Sequence, residues 1–246
     1  MAAINVECFM PRPVNSGVSR FVYWRQMDLA NYIEEIGRDM VRCNIHCRGI
    51  ALNHPEGILP RCLILETEGR ADGKGSVIVG INPGRSKLHE REFYRSNGQT
   101  YEQELIYWQK YIYNHPYYKR LRYFVGELGF HGAILWTELV KCENASAESG
   151  LPPLQTFRTC TETYLQKELQ AVPTDWPLVG VGTESYKALA YMFASRIVIG
   201  VPHPTGSYGQ FPKLFDAEKQ LLPEIKTQVE NISNGVRGEA AWLSVK

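Results

Sequence analysis

Ser76-Val77-Ile78-Val79-Gly80-Ile81-Asn82-Pro83-Gly84 decides how this chain is read. A short apolar run ends in Gly-Ile-Asn-Pro-Gly, which predicts a buried strand stopped by a tight, rigid turn. In open α/β sheets, ligands bind at the carboxyl ends of strands. Asn82 is the one side chain of this turn able to do polar chemistry. A second stiff turn, Val201-Pro202-His203-Pro204-Thr205-Gly206, follows another apolar run, Ile197-Val198-Ile199-Gly200. The two turns, one offering an amide and one an imidazole, are expected to converge on one substrate.

Working outward, residues 62–66, 77–80, 133–136, 178–181 and 196–200 read as strands. Phe21 to Met40 reads as an amphipathic helix, with Leu29, Ile33 and Ile36 on one face. Further helices are expected at 99–113, 117–128, 156–169, 184–193 and 213–230, with Asn114-His115-Pro116 breaking the first of these from the second. Apolar strands alternating with helices predict an α/β fold, a three-layer sandwich around a central, mostly parallel sheet. One domain over 1–246 is the simplest division, with an irregular arm at 1–18 and a loose tail at 231–246.

Apolar residues make up 44% of the 246, enough for a sizeable core and against global disorder. The formal net charge of +1 gives no global pull toward nucleic acid. DNA binding would need a local basic face, such as Lys119-Arg120-Leu121-Arg122 or Arg85 with Lys87; each also reads as ordinary solvated surface. No apolar run approaches the ~20 residues that span a bilayer. Met1 to Gly17 lacks the pattern of a signal peptide. A cytoplasmic protein is expected, its six cysteines reduced, metal-bound or buried. Cys43 and Cys47 form a close pair, Cys142 and Cys160 a wider one. Four thiolates suit zinc or an iron–sulfur cluster, although a buried free cysteine also serves as a small hydrophobe. Cys8 and Cys62 are left over, and Cys62 reads as core.

Taken in order, these motifs resemble the uracil-DNA glycosylase superfamily, above all its iron–sulfur branch. The similarity runs from about Cys43 to Phe215. It rests on the Cys43/Cys47 pair, on Gly80-Ile81-Asn82-Pro83-Gly84, on Thr137-Glu138-Leu139-Val140-Lys141-Cys142 with Cys160 downstream, and on His203-Pro204-Thr205-Gly206. The segment Val179 to Leu189 is similar to the family's strand-to-helix unit. The resemblance implies an enzyme that swings a nucleotide out of DNA and hydrolyses its bond to the sugar. It implies a 4Fe-4S cluster on Cys43, Cys47, Cys142 and Cys160, with zinc as the alternative. Asn82 would handle the water and His203 the base carbonyl. Ile81 would contact the base, and Phe93 or Tyr94 is the candidate ring to stack on it. Gly84, Arg85, Ser86, Thr205, Gly206, Ser207 and Tyr208 would meet DNA, with Tyr208 as the wedge. Neither a membrane nor an obligatory protein partner is implied.

The chain departs from the branch in three places. Three residues, not two, separate Cys43 from Cys47. The first motif carries Asn82 where the branch commonly has Gly-Glu-Ala-Pro-Gly. Glu138 replaces the asparagine that reads uracil. An ionised carboxylate only accepts hydrogen bonds, so it would repel a uracil carbonyl and welcome the amine of cytosine. A protonated Glu138 would instead mimic the amide. Residues 88–124 exceed the family's usual connection and are crowded with rings, suited to bases, to sugars or simply to packing. The expected activity is that of a monofunctional glycosylase acting on a modified cytosine, such as the hydroxymethylated or glucosylated cytosine of phage DNA. The alternatives are a uracil-DNA glycosylase of repair, a non-catalytic damage-binding module and, more remotely, a zinc-stabilised nucleotide hydrolase.

Overall fold

The computed structural model describes residues 17–146, 150–206, 209–234 and 240–245, with side chains from Leu29 onward. The apolar runs form one six-stranded sheet. Its strands are β1 (Ile64–Glu66), β2 (Ser76–Gly80), β3 (Ile134–Glu138), β4 (Leu178–Val181), β5 (Val198–Val201) and β6 (Ala240–Trp242), in the order β1-β3-β2-β4-β5-β6. β1 runs antiparallel to β3, and every other pairing is parallel. The fold is therefore α/β with a mostly parallel sheet.

Both faces of the sheet are covered, which is why β2 reads as a continuous apolar run. Val77 and Val79 enter one core, and Ile78 between them enters the other. The first core takes Leu29, Ile33, Ile36 and Met40 from α1 (Gly17–Val41), spaced three and four apart as one helical face requires. The second takes Leu121, Phe124 and Val125 from α4 (Pro116–Glu127) and Ile225 and Val229 from α8 (Pro223–Asn234). Each such side chain, fully buried, contributes about 1.5–3 kcal/mol.

Several expected boundaries move. Residues 17 and 18 already belong to α1, so the arm ends sooner, and residues 1–16 lie outside the described residues. β1 begins at Ile64, because Cys62 has φ +72°, a left-handed conformation that cannot continue a strand. The expected helix 213–230 is two pieces, a 3-10 turn at Phe211–Leu214 and α8. Pro223 divides them: it lacks an N–H and disfavours helix at the residue before it, so it starts a helix rather than continuing one. The tail is not loose throughout, since α8 runs to Asn234 and β6 adds an edge strand beside β5.

The segment 88–124 holds α2 (Leu88–Asn97), which the sequence reading missed, then α3 (Tyr101–Tyr107) and a π turn at Trp108–Ile112. Thr100 starts α3 by accepting a hydrogen bond from the Gln103 N–H. The expected helix 156–169 begins earlier, as α5 (Leu154–Cys160), and passes through a second π turn, Thr161–Leu165, into α6 (Gln166–Ala171). α7 (Thr183–Met192) follows β4. Among the described residues no helix is long and apolar enough to cross a membrane.

The strand order fixes where a ligand can sit. From β2 the chain moves to β3 on one side, and from β4 it moves to β5 on the other. Such a reversal opens a crevice at the carboxyl ends of the strands.

Candidate active site

A cavity of about 530 Å³ occupies that crevice, within the ~300–1,000 Å³ range of ligand pockets. The turn after β2 contributes Ile81, Asn82, Gly84 and Arg85 to its lining, β3 contributes Glu138, and the turn after β5 contributes His203 and Thr205. Asn82 and His203, far apart in sequence, thus share one chamber.

Asn82 is oriented by the segment that follows β3. Its Nδ2 donates to the Cys142 carbonyl at 3.3 Å and to Asn144 Oδ1 at 3.1 Å. That fixes the amide and leaves Oδ1 to accept a hydrogen bond from a water. A neutral amide can position water but is a poor base. The turn is moulded onto the same segment by Leu139 N–H to the Gly80 carbonyl at 3.0 Å and Val140 N–H to the Ile81 carbonyl at 2.9 Å. Below it Arg61, itself buried, pairs with Glu90 and Glu143, each at 2.9 Å, and donates to the Gly84 carbonyl. Burial opposes ionisation of Glu143, yet Arg61 and two hydrogen bonds from Ser86 hold its carboxyl below the usual range. Ser86, expected to face DNA, is buried there with its N–H on Glu143 at 2.6 Å. Gly84 and Arg85 are exposed.

Thr205 N–H donates to His203 Nδ1 at 3.3 Å, which assigns the ring proton to Nε2. Burial lowers the pKa of His203 and favours the neutral ring. A neutral imidazole with its proton on Nε2 is a donor suited to a developing oxyanion. Tyr117 packs against this ring at 5.1 Å between centroids. Arg120 supports the turn from α4 by donating to the Pro204 carbonyl. Arg122 instead turns its Nε–H to both carboxylate oxygens of Glu66, at 2.7 and 2.8 Å. The expected basic stretch 119–122 is therefore largely framework and not a free face. Gly206 is exposed, while Ser207 and Tyr208 lie outside the described residues.

Glu138 ends β3 inside the cavity. Its carboxyl packs over Gly80, where a methyl group would collide with it. Oε2 is buried without a hydrogen-bond partner among the described residues. Burial pushes this carboxyl up to about 8, against the opposing pull of Lys141 and Arg61. Near neutral pH it is a carboxylic acid, able to donate and to accept.

Of the two expected stacking rings, Tyr94 reaches the lining but is 1% exposed and part of the core, and Phe93 packs against it and Tyr107 without lining the cavity. The other Tyr and Trp rings that line it are Tyr107, Trp108, Tyr111, Tyr117 and Tyr118. The break at Asn114-His115-Pro116 is the sequence signal that places Tyr117 and Tyr118 on the first turn of α4. Sequence reasoning also missed Arg61, Cys62 and Glu104, which line the cavity and not only the core.

The two cysteine pairs do meet. Cys43, Cys47, Cys142 and Cys160 line a second cavity, of about 20 Å³, with Ile45, Ile50 and Tyr164. All four are free thiols; Cys142 and Cys160 are buried. Burial, and then its three neighbours, push the Cys142 thiol up; burial raises Cys160 to about 11. Lys141 N–H points at Cys160 Sγ, 3.2 Å away. Among the described residues no three His, Cys, Asp or Glu side chains meet at the spacing of a single metal ion. The donor set is nonetheless four thiols around one space, the chemistry that soft metals take.

No protein-family model matches the chain, and no curated protein sequence matches it either. The family likeness thus rests on the motifs quoted above.

Proposed function

We propose that this chain is a monofunctional DNA glycosylase that extrudes a modified cytosine and hydrolyses its N-glycosidic bond, leaving an abasic site. The observation that carries this reading is the shared cavity of Asn82, Glu138 and His203. Asn82 Oδ1 orients a water toward the sugar carbon. As the bond breaks, its electron pair passes to the base, where His203 Nε2–H stabilises the charge on the carbonyl oxygen. One water proton ends on the released base and the hydroxyl on the sugar. Neutral Glu138 donates to cytosine N3 and accepts from the exocyclic amine. The cavity exceeds what a bare pyrimidine ring fills, which favours a base bearing a substituent. Arg85 and Lys87 at the mouth would contact the phosphates.

One observation favours a second reading, a uracil-DNA glycosylase. A neutral Glu138 also pairs with uracil, donating to O4 and accepting from N3–H. The two substrates separate with pH. The raised pKa means the acid persists below about 8 and ionises above it. Arg61 and Lys141 face it as cations, and Cys62, Tyr117 and Tyr118 as neutral acids. The ionised form repels uracil O4 but still accepts from the cytosine amine. Purified protein should be incubated with DNAs carrying cytosine, hydroxymethylcytosine, glucosylated hydroxymethylcytosine or uracil, and the free base identified by mass spectrometry. Release of a modified cytosine is expected; uracil release, if present, should fall more steeply above about pH 8, and Glu138→Gln should remove that limb. Robust uracil release with untouched cytosine derivatives would exclude the cytosine reading, and no release from any DNA would exclude the enzyme.

In the same reading Cys43, Cys47, Cys142 and Cys160 hold a 4Fe-4S cluster, whose contribution is to pin the 43–47 segment to the loop that bears Asn82's anchors. Brown protein containing iron and acid-labile sulfide in equal amounts is expected. Zinc without sulfide would overturn the cluster.

A further inference from the structure

We infer that Glu104 is a second base-reading residue, a buried carboxylic acid that hydrogen-bonds a polar oxygen substituent on the extruded pyrimidine. This rests on the glycosylase reading and adds to it the group that selects the substituent. Glu104 lies on α3 and lines the same cavity as Glu138, with 4% exposure. Its Oε1 accepts from the Cys62 N–H, and the neighbouring Leu63 N–H also favours the ionised carboxyl. Its Oε2 is buried with no hydrogen-bond partner among the described residues, as is Oε2 of Glu138. Two unpartnered, buried carboxyl oxygens on residues that line one chamber are a costly arrangement that a ligand would relieve.

The backbone around Glu104 is also costly. Cys62 holds φ +72°, a conformation that non-glycine residues rarely adopt and that clusters at functional sites. That conformation accompanies the N–H it gives to Glu104. The Cys62 thiol feels both acids: burial raises its pKa most, then Glu138, with Glu104 adding to it and Arg61 opposing.

The two nearby cations do not neutralise Glu104, because each is already engaged. Arg61 is held by Glu90 and Glu143, and Lys141 by Glu168. Tyr94 and Tyr101 face it as un-ionised phenols, raised by burial. Burial accordingly pushes Glu104 up to about 8. The result is a pair of neutral donors, which suits an uncharged, oxygen-bearing ligand. Glu138 takes the N3 and amine edge, and the ring position next to the amine is C5. A C5 hydroxymethyl group, bare or extended, is the substituent that Glu104 would bind.

The test uses the full chain carrying Asn82→Ala, so that bound DNA is not processed. Fluorescence anisotropy would compare duplexes containing one cytosine or one 5-hydroxymethylcytosine. The parent is expected to prefer the hydroxymethylated duplex, and Glu104→Leu to cut that preference about tenfold, as the loss of one buried hydrogen bond does. Glu104→Gln, which keeps a donor and the acceptor for Cys62, should hold it within about threefold. As the pH is raised through about 8, Glu104 becomes an acceptor only, so the preference should shift in the parent but not in Glu104→Gln. An absent parental preference, an unchanged preference in Glu104→Leu, or the same pH shift in Glu104→Gln would each overturn the assignment. Should Glu104→Leu fail to fold, the pH comparison of parent and Glu104→Gln decides alone. Failure of the glycosylase reading shows separately, as no base released by the unmutated protein.

Discussion

Asn82→Ala should lower base release by about 10²–10³-fold in single-turnover assays, the usual cost of losing a positioned polar group. Affinity for the same DNA, measured by anisotropy, should change little. The expectation follows from how the amide is held. Nδ2 is committed to the Cys142 carbonyl and to Asn144, so Oδ1 is the end left for water. Alanine removes that acceptor and leaves the turn intact, because Leu139 and Val140 still hold its backbone. Asn82→Asp should not rescue activity, although a carboxylate is the stronger base. It would lose the donation to Cys142 and set a negative oxygen against that carbonyl. Unimpaired release by Asn82→Ala would remove Asn82 from the chemistry. Lost DNA binding in step with lost release would point to a scaffold role.

The second large effect concerns stability. Lys141 and Glu168 are both wholly buried and paired at 2.9 Å. Lys141 Nζ also donates to Thr137 Oγ1 and to the Glu138 carbonyl at 2.8 Å, and the Thr137 hydroxyl donates to Glu168 at 2.6 Å. This knot ties α6 to the end of β3. Removing one partner strands a charge in the core, and Lys141→Met or Glu168→Leu should each cost about 3–5 kcal/mol in urea denaturation. The double variant should recover most of that, since an apolar pair of similar volume avoids the desolvation of two ions. A double variant as unstable as the sum of the singles would show that the two residues do not act as a pair.

The parts of this architecture legible in the sequence are those with a local cause. β4 falls on its expected bounds because Leu178 to Val181 is wholly apolar and wholly buried. The two proline turns deliver Asn82 and His203 to one cavity because each follows a parallel strand of one sheet. What stayed hidden has distant causes. Glu104 is explained by Cys62, 42 residues away, and Arg61 by Glu143, 82 residues away. Neither pair leaves a periodic trace. α2 carries four charged residues in ten and buries Glu90 and Tyr94, so no apolar stripe marks it. β6 is a three-residue edge strand, Ala240–Trp242, defined by what lies beside it. The division at Pro223, by contrast, was there to be read.

The turn that carries Asn82 takes its form from a neighbour. Residues 139–144 grip it at the Gly80 and Ile81 carbonyls, at the Asn82 amide and, through Glu143, at Ser86. It behaves as a casting, and that segment is its mould. Grafting Gly80 to Ser86 alone onto another scaffold would transfer the letters without the shape; the two stretches must travel together.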